Sequence, residues 1–181
     1  MIGDSFIWTE VNGIYAKFQK WFSGYDMSHI AWSTGYMAGV EWKYEAVAAV
    51  GAFPYYPQDN IKVYPCPYPK EVIEEAIRKV AKKSYGKIYG FMQIFYFPRR
   101  FIYEKIPFLW WIRCLFNDCE SPKKLNNWFP RSYICTEVWY DIVKYCAEKV
   151  KDTKMLSVMN EYHGNNLYVS DCYKMIIRGW E

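Results

Sequence analysis

An α+β fold, with a small antiparallel sheet packed against helices, is predicted by three features of the chain. Residues 28–33 and 40–50 alternate in polarity as strands do. Residues 70–83 and 135–150 instead repeat apolar side chains at helical spacing. The third feature is size: 181 residues can bury a core as one domain, 1–181, without disulfides or a structural metal.

In chain order, residues 2–9 alternate loosely and read as an entering strand, followed by a turn at Asn12-Gly13 and a short helix over 14–22. Ser23-Gly24-Tyr25-Asp26 breaks that helix. In the strand 28–33, His29, Ala31 and Ser33 share one face and Ile30 and Trp32 the other. A glycine-bounded turn over 34–39 leads to 40–50, where Val40, Trp42, Tyr44 and Ala46 alternate with Glu41, Lys43 and Glu45. Adjacent antiparallel strands joined in this way can set His29 beside Glu45. Residues 51–60 read as a proline and aromatic loop and 61–64 as a short strand.

Pro69 opens a helix whose buried stripe is Val72, Ile73, Ala76, Ile77 and Val80. Its glutamates come early and its lysines late, which suits the peptide dipole, and Gly86 ends it. The aromatic-rich region from Tyr89 to Phe116 reads as helical with breaks near Pro98 and Pro107. Residues 117–130 are polar and loop-like, and a helix runs from Cys135 to about Val150. The tail 151–181 is expected to be irregular, with Ser170 or Asp171 capping a last short helix.

Composition narrows the function. Aromatic residues make up 21% of the chain, so some rings are expected to line a groove or face a partner. The net charge of +4 is spread along the chain, and nucleic acid is not an expected partner. Six cysteines, at 66, 114, 119, 135, 146 and 172, lack any paired C-x-x-C spacing, so neither zinc nor another cofactor is expected. Met1-Ile2-Gly3-Asp4 leads straight into a strand pattern, so no signal peptide is expected and synthesis is placed in a cytoplasm. The most apolar window, 101–116, carries Glu104, Lys105, Pro107 and Arg113 and is too short to span a bilayer.

Cys135 falls in the first turn of its helix, where the dipole and the first-turn amides favour a thiolate and form a place for a developing oxyanion. A nucleophilic thiol needs a base, and the two histidines are His29 and His163. His163 lies among turn residues and is expected at the surface. Periodicity alone leaves other readings open: His29 as a satisfied core residue, Glu45 as a solvated strand face, Cys135 as a small buried hydrophobe.

Gly3-Asp4 before a strand, Ser28-His29-Ile30, Tyr44-Glu45-Ala46, Tyr89-Gly90-Phe91 after a helix, and Ile134-Cys135-Thr136-Glu137-Val138 opening another together carry a resemblance. In this order and spacing they resemble the circularly permuted branch of the NlpC-type papain-like cysteine hydrolases, the YiiX/YaeF-like group. Thr136 follows the cysteine where family members commonly carry serine. The resemblance implies a permuted papain-like fold, with a small antiparallel sheet or half-barrel packed against helices. It implies Cys135 as nucleophile, His29 as base and Glu45 as the residue that orients the imidazole, with Asp4 and Tyr89 shaping the site. The expected activity is metal-free hydrolysis of an amide bond in a peptide or acyl-amide, with peptidoglycan peptides as the implied substrate. A missing signal would fit a cytoplasmic protein, or a phage-encoded one released by lysis or carried in a virion. Two other readings stand beside it: a lipid-directed thiol acyl hydrolase or acyltransferase, and a non-catalytic module that binds glycans or serves as a structural part of a virion.

Overall fold

The computed structural model describes residues 2–9, 14–46, 50–87, 97–115, 121–124, 134–164 and 166–180. The strands are β1 (Ser5–Thr9), β2 (Met27–Met37), β3 (Val40–Ala46), β4 (Val50–Pro54) and β5 (Ile61–Tyr64). The helices are α1 (Ile14–Ser23), α2 (Lys70–Ser84), α3 (Phe97–Lys105), α4 (Pro107–Cys114), α5 (Cys135–Val150), α6 (Thr153–Met159) and α7 (Val169–Trp180). All strand pairings are antiparallel, in the order β4-β3-β2-β1-β5, so the fold is α+β with the long strand β2 at the centre of the sheet.

Strand alternation gives the sheet two unequal faces. One row, Ile7, Ile30, Trp32, Tyr44, Ala46 and Val50, joins the main core with Val138, Trp139, Ile142, Val143 and Cys146 of α5. The predicted apolar stripe of the cysteine helix is therefore the face that meets the sheet. Trp32, Trp139 and Trp180 form a triangle with ring centres 6.3 to 6.5 Å apart, which ties β2, α5 and α7 together. The Trp139 indole N–H donates to Ser5 Oγ at 2.8 Å, which satisfies a polar group inside that cluster. The other row holds a smaller cluster of Phe6, Ala31 and Tyr55, with Phe6 stacked on Tyr55 at 4.2 Å.

Where the expected elements shift, local backbone chemistry explains it. The turn placed at 34–39 is narrower, because β2 takes up Thr34 as an extra residue next to Gly35 (φ +91) and continues to Met37. Ala38 and Gly39, both at positive φ, then make the two-residue hairpin turn with Met37 opposite Val40. The strand expected over 40–50 stops at Ala46, and part of the expected loop 51–60 is instead β4, whose Val50 pairs with Ala46. The break expected near Pro107 is present: α3 ends at Lys105 and α4 starts at Pro107, where a missing N–H has no cost. Pro98 stands in the first turn of α3, and the residues before Phe97 lie outside the described ones.

The tail is helical rather than irregular, because its side chains supply caps and a buried tie. Asp152 caps α6 by accepting from the Met155 N–H at 2.9 Å. Asp171, in the first turn of α7, accepts from the Tyr168 N–H at 2.9 Å and holds Arg100 of α3 in a two-pronged pair at 2.6 and 3.2 Å. Arg100 also donates to the Asn166 carbonyl at 2.6 Å and lies 4.2 Å over the Tyr168 ring. Near the other end of the chain Gly3, at φ +92, has no room for a side chain: a Cβ there would stand 2.5 Å from Ile73 Cδ1 of α2.

Candidate active site

The site is assembled from β2, β3 and the N-terminal end of α5. In the β2–β3 ladder Trp32 faces Tyr44; carried one residue further, that register sets Glu45 across from Ala31 and diagonally beside His29 on the same face. The contact follows: His29 Nε2 and Glu45 Oε2 are 2.6 Å apart. Because a carboxylate only accepts, Nε2 carries the proton in this bond. Glu45 is buried at 3% exposure, while the His29 side chain keeps 21%, so the carboxylate is withdrawn and the imidazole has access to solvent.

Cys135 is the first residue of α5, after Ile134 in extended conformation with no side-chain cap. It is buried and hydrogen-bonds His29. Thr136 turns inward and donates to the Leu167 carbonyl at 3.2 Å, which fixes this helix start against the segment before α7. The structure thus brings Cys135, His29 and Glu45 together, with His29 in contact with both of the others.

Electrostatics couple the three. Burial by itself would push the His29 pKa down, but the charge and hydrogen bond of Cys135, followed by those of Glu45, outweigh it and raise it from 6.5 to about 9. At Glu45 burial works against the charged form, yet hydrogen bonds and charge from His29 and then Lys43 hold the carboxyl below the usual range. Other cysteines differ in kind. Burial pushes the Cys66 and Cys146 thiols up to about 12, and burial, with the charges of Asp171 and Cys135, holds the Cys172 thiol well above its ordinary range.

Two contributors escaped the sequence reading. Lys43 Nζ lies 2.8 Å from Glu45 Oε1 and 4.4 Å over the ring of Trp8. Trp8 is the β1 partner of His29, with ring centres 5.1 Å apart. The polar row of β3 already contained Lys43, two residues from Glu45; what it lacked was any sign that β1 would close over the same face.

Asp4 is buried, and its carbonyl accepts from the Ser33 N–H at 2.8 Å, at the far end of the β1–β2 ladder from Trp8 and His29. Its charge acts on Cys66. Tyr89 lies outside the described residues. His163 is half-buried, with its N–H donating to the Lys123 carbonyl at 3.0 Å. Among the described residues no group of three or more His, Cys, Asp or Glu side chains is placed to hold a metal ion, and no helix is long and apolar enough to cross a membrane. No family model and no curated protein matches the chain.

Proposed function

We propose that the protein is a cysteine hydrolase of the amidase or peptidase type, in line with the resemblance to the permuted NlpC-type enzymes. One observation carries this reading: a helix-start cysteine hydrogen-bonded to a histidine that a buried carboxylate also holds. Nε2–H is committed to Glu45, so Nδ1 is the atom that exchanges a proton with Cys135. In the resting pair the thiol proton resides on the imidazole.

The Cys135 thiolate attacks the substrate carbonyl carbon, forming a C–S bond and an oxyanion at the helix N-terminus. Collapse breaks the C–N bond, and the leaving amine takes its proton from His29. Water, deprotonated by His29, then attacks the thioester carbonyl and releases the acid and the thiol. Glu45 keeps the imidazole oriented and stabilises its cationic form throughout. Peptidoglycan peptides are the proposed amide substrate. A lipid-directed acyl hydrolase or acyltransferase is the second reading, favoured by the exposed apolar side chains of α3 and α4. Muropeptides and fatty acyl esters assayed in parallel separate the two.

The test that needs no substrate is iodoacetamide alkylation mapped at each cysteine. Cys135 should react at pH 6 about thirtyfold faster than an ordinary cysteine, and His29→Ala should abolish the difference. Cys66, Cys146 and Cys172 should stay unreactive in the folded protein. Equal rates at Cys135 in parent and variant would sink the enzyme reading in favour of a binding module.

A further inference from the structure

Cys172 is a buried thiol that the proposed hydrolysis leaves unused. It stands near the start of α7, 0% exposed, on the buried face that also carries Val169, Met175 and Ile176. Two contacts fix α7 against the cysteine helix. The Thr136 hydroxyl, one residue after Cys135, donates to the Leu167 carbonyl at 3.2 Å, two residues before α7 begins. Further along, Trp139 of α5 and Trp180 of α7 have ring centres 6.3 Å apart. Cys135 adjoins the first of these ties, and Cys172 lies between the two along its own segment. Both sulfurs belong to one core cluster with Val138, Trp139 and Ile176. The charge of Cys135 reaches Cys172 across this packing, whereas the thiol that acts on Cys146 is Cys66.

The two thiols differ in state. Cys135 begins its helix in contact with His29 and is the thiolate of the proposed chemistry, while burial and the neighbouring Asp171 keep Cys172 a thiol. A thiolate is the form that peroxides oxidise, and the sulfenic acid so formed condenses with a nearby thiol. Position favours this pairing. Cys135 follows Ile134 in extended conformation, so its backbone is held by helical hydrogen bonds on one side only. A sulfur at a helix end reaches a neighbour with less rearrangement than one in mid-helix.

We propose that Cys135 and Cys172 form a peroxide-oxidisable pair, in which Cys172 resolves the oxidised nucleophile into a disulfide. The pair rests on Cys135 being the thiolate of the proposed function. That thiolate attacks one oxygen of hydrogen peroxide and the O–O bond breaks; the hydroxide that leaves takes the His29 proton and departs as water. Cys135 is then a sulfenic acid, and the peroxide has been reduced by two electrons. The Cys172 sulfur displaces the sulfenic hydroxyl, the S–S bond forms, and the thiol proton leaves with the hydroxyl as a second water. Two thiols of an external reductant reverse the disulfide. The bond keeps the nucleophile from the sulfinic and sulfonic stages, which a thiol reductant does not reverse.

Hydrogen peroxide at about tenfold excess over the full chain, followed by peptide mapping without reductant, tests the pair. The parent should lose two hydrogens in mass and yield a linked Cys135–Cys172 peptide. Dithiothreitol should then restore nearly all of the Cys135 alkylation rate. In Cys172→Ala the same treatment should leave a Cys135 sulfenic acid that dimedone traps. Without dimedone it should pass to the sulfinic acid, and dithiothreitol should recover about a tenth of the alkylation rate or less. The linked peptide is read in the parent, so the test stands even if the variant folds poorly. Linkage of Cys135 to any other cysteine overturns the proposal, as does its oxidation in the parent with no linkage at all. Iodoacetamide applied before oxidation separates this outcome from the enzyme reading. Fast alkylation of Cys135 without a later disulfide sinks the pair alone, whereas slow alkylation with no oxidation sinks both.

Discussion

Lys43 is the residue whose role is most open to measurement. Glu45 spends one carboxylate oxygen on His29 and the other on Lys43, so the lysine fixes the rotation of the group that orients the imidazole. Lys43→Met should lower kcat/KM on the order of tenfold, about 1.4 kcal/mol, as expected for one charge-assisted hydrogen bond to a positioning group. The pH profile separates this from a general loss of stability. In the proposed mechanism the competent form pairs thiolate with imidazolium, so activity should fall as pH rises through about 9, where His29 loses its proton and cannot protonate the leaving amine. Lys43→Met should move that limb, whereas a merely destabilised protein would keep it. Cys135→Ala should remove turnover altogether and leave the unfolding midpoint close to the parent's, since the change deletes one sulfur from a packed site.

At the scale of elements, the buried pair between α3 and α7 is the most exposed to mutation. Arg100 is 2% exposed and Asp171 1%, and each is satisfied by the other and by neighbouring backbone. Arg100→Met strands the Asp171 carboxylate in the interior and should destabilise by about 3–5 kcal/mol in urea unfolding. Removing both charges, Arg100→Met with Asp171→Leu, should cost less than the single change. A second measurement reports on the same node, because the Leu167 carbonyl that accepts from Thr136 lies two residues before α7. If that tie sets the helix start, Arg100→Met should also slow Cys135 alkylation, even well below its unfolding midpoint.

Across the whole molecule, aromatic residues serve three separate ends. The tryptophan triangle fills the junction of sheet and helices, Trp8 covers the imidazole, and the α3–α4 side chains face outward. Trp139→Ala should therefore cost about 3–5 kcal/mol, read from a denaturant melt, since it empties the centre of the core. Phe108→Ser should leave the same melt within about 0.5 kcal/mol of the parent. Together these two results would divide interior rings from surface rings without reference to any activity.

Local patterns in the sequence determined the α+β class, the helix from Cys135 to Val150, the helix after Pro69, and the strand rows carrying His29 and Glu45. Those depend on periodicity and on turn residues, which act over a few positions. The alternating row of β3 also made the His29–Glu45 neighbourhood legible, since a hairpin brings close residues only 16 apart. Contacts between distant segments were decided by tertiary structure alone. Trp8 and Lys43 meet over His29 because β1 pairs beside β2, and the tail is helical because Arg100, 71 residues away from Asp171, is buried against it. Whether an apolar helix is covered is likewise a property of the packed molecule, because an amphipathic or apolar sequence records a preference for burial and not the surface that provides it.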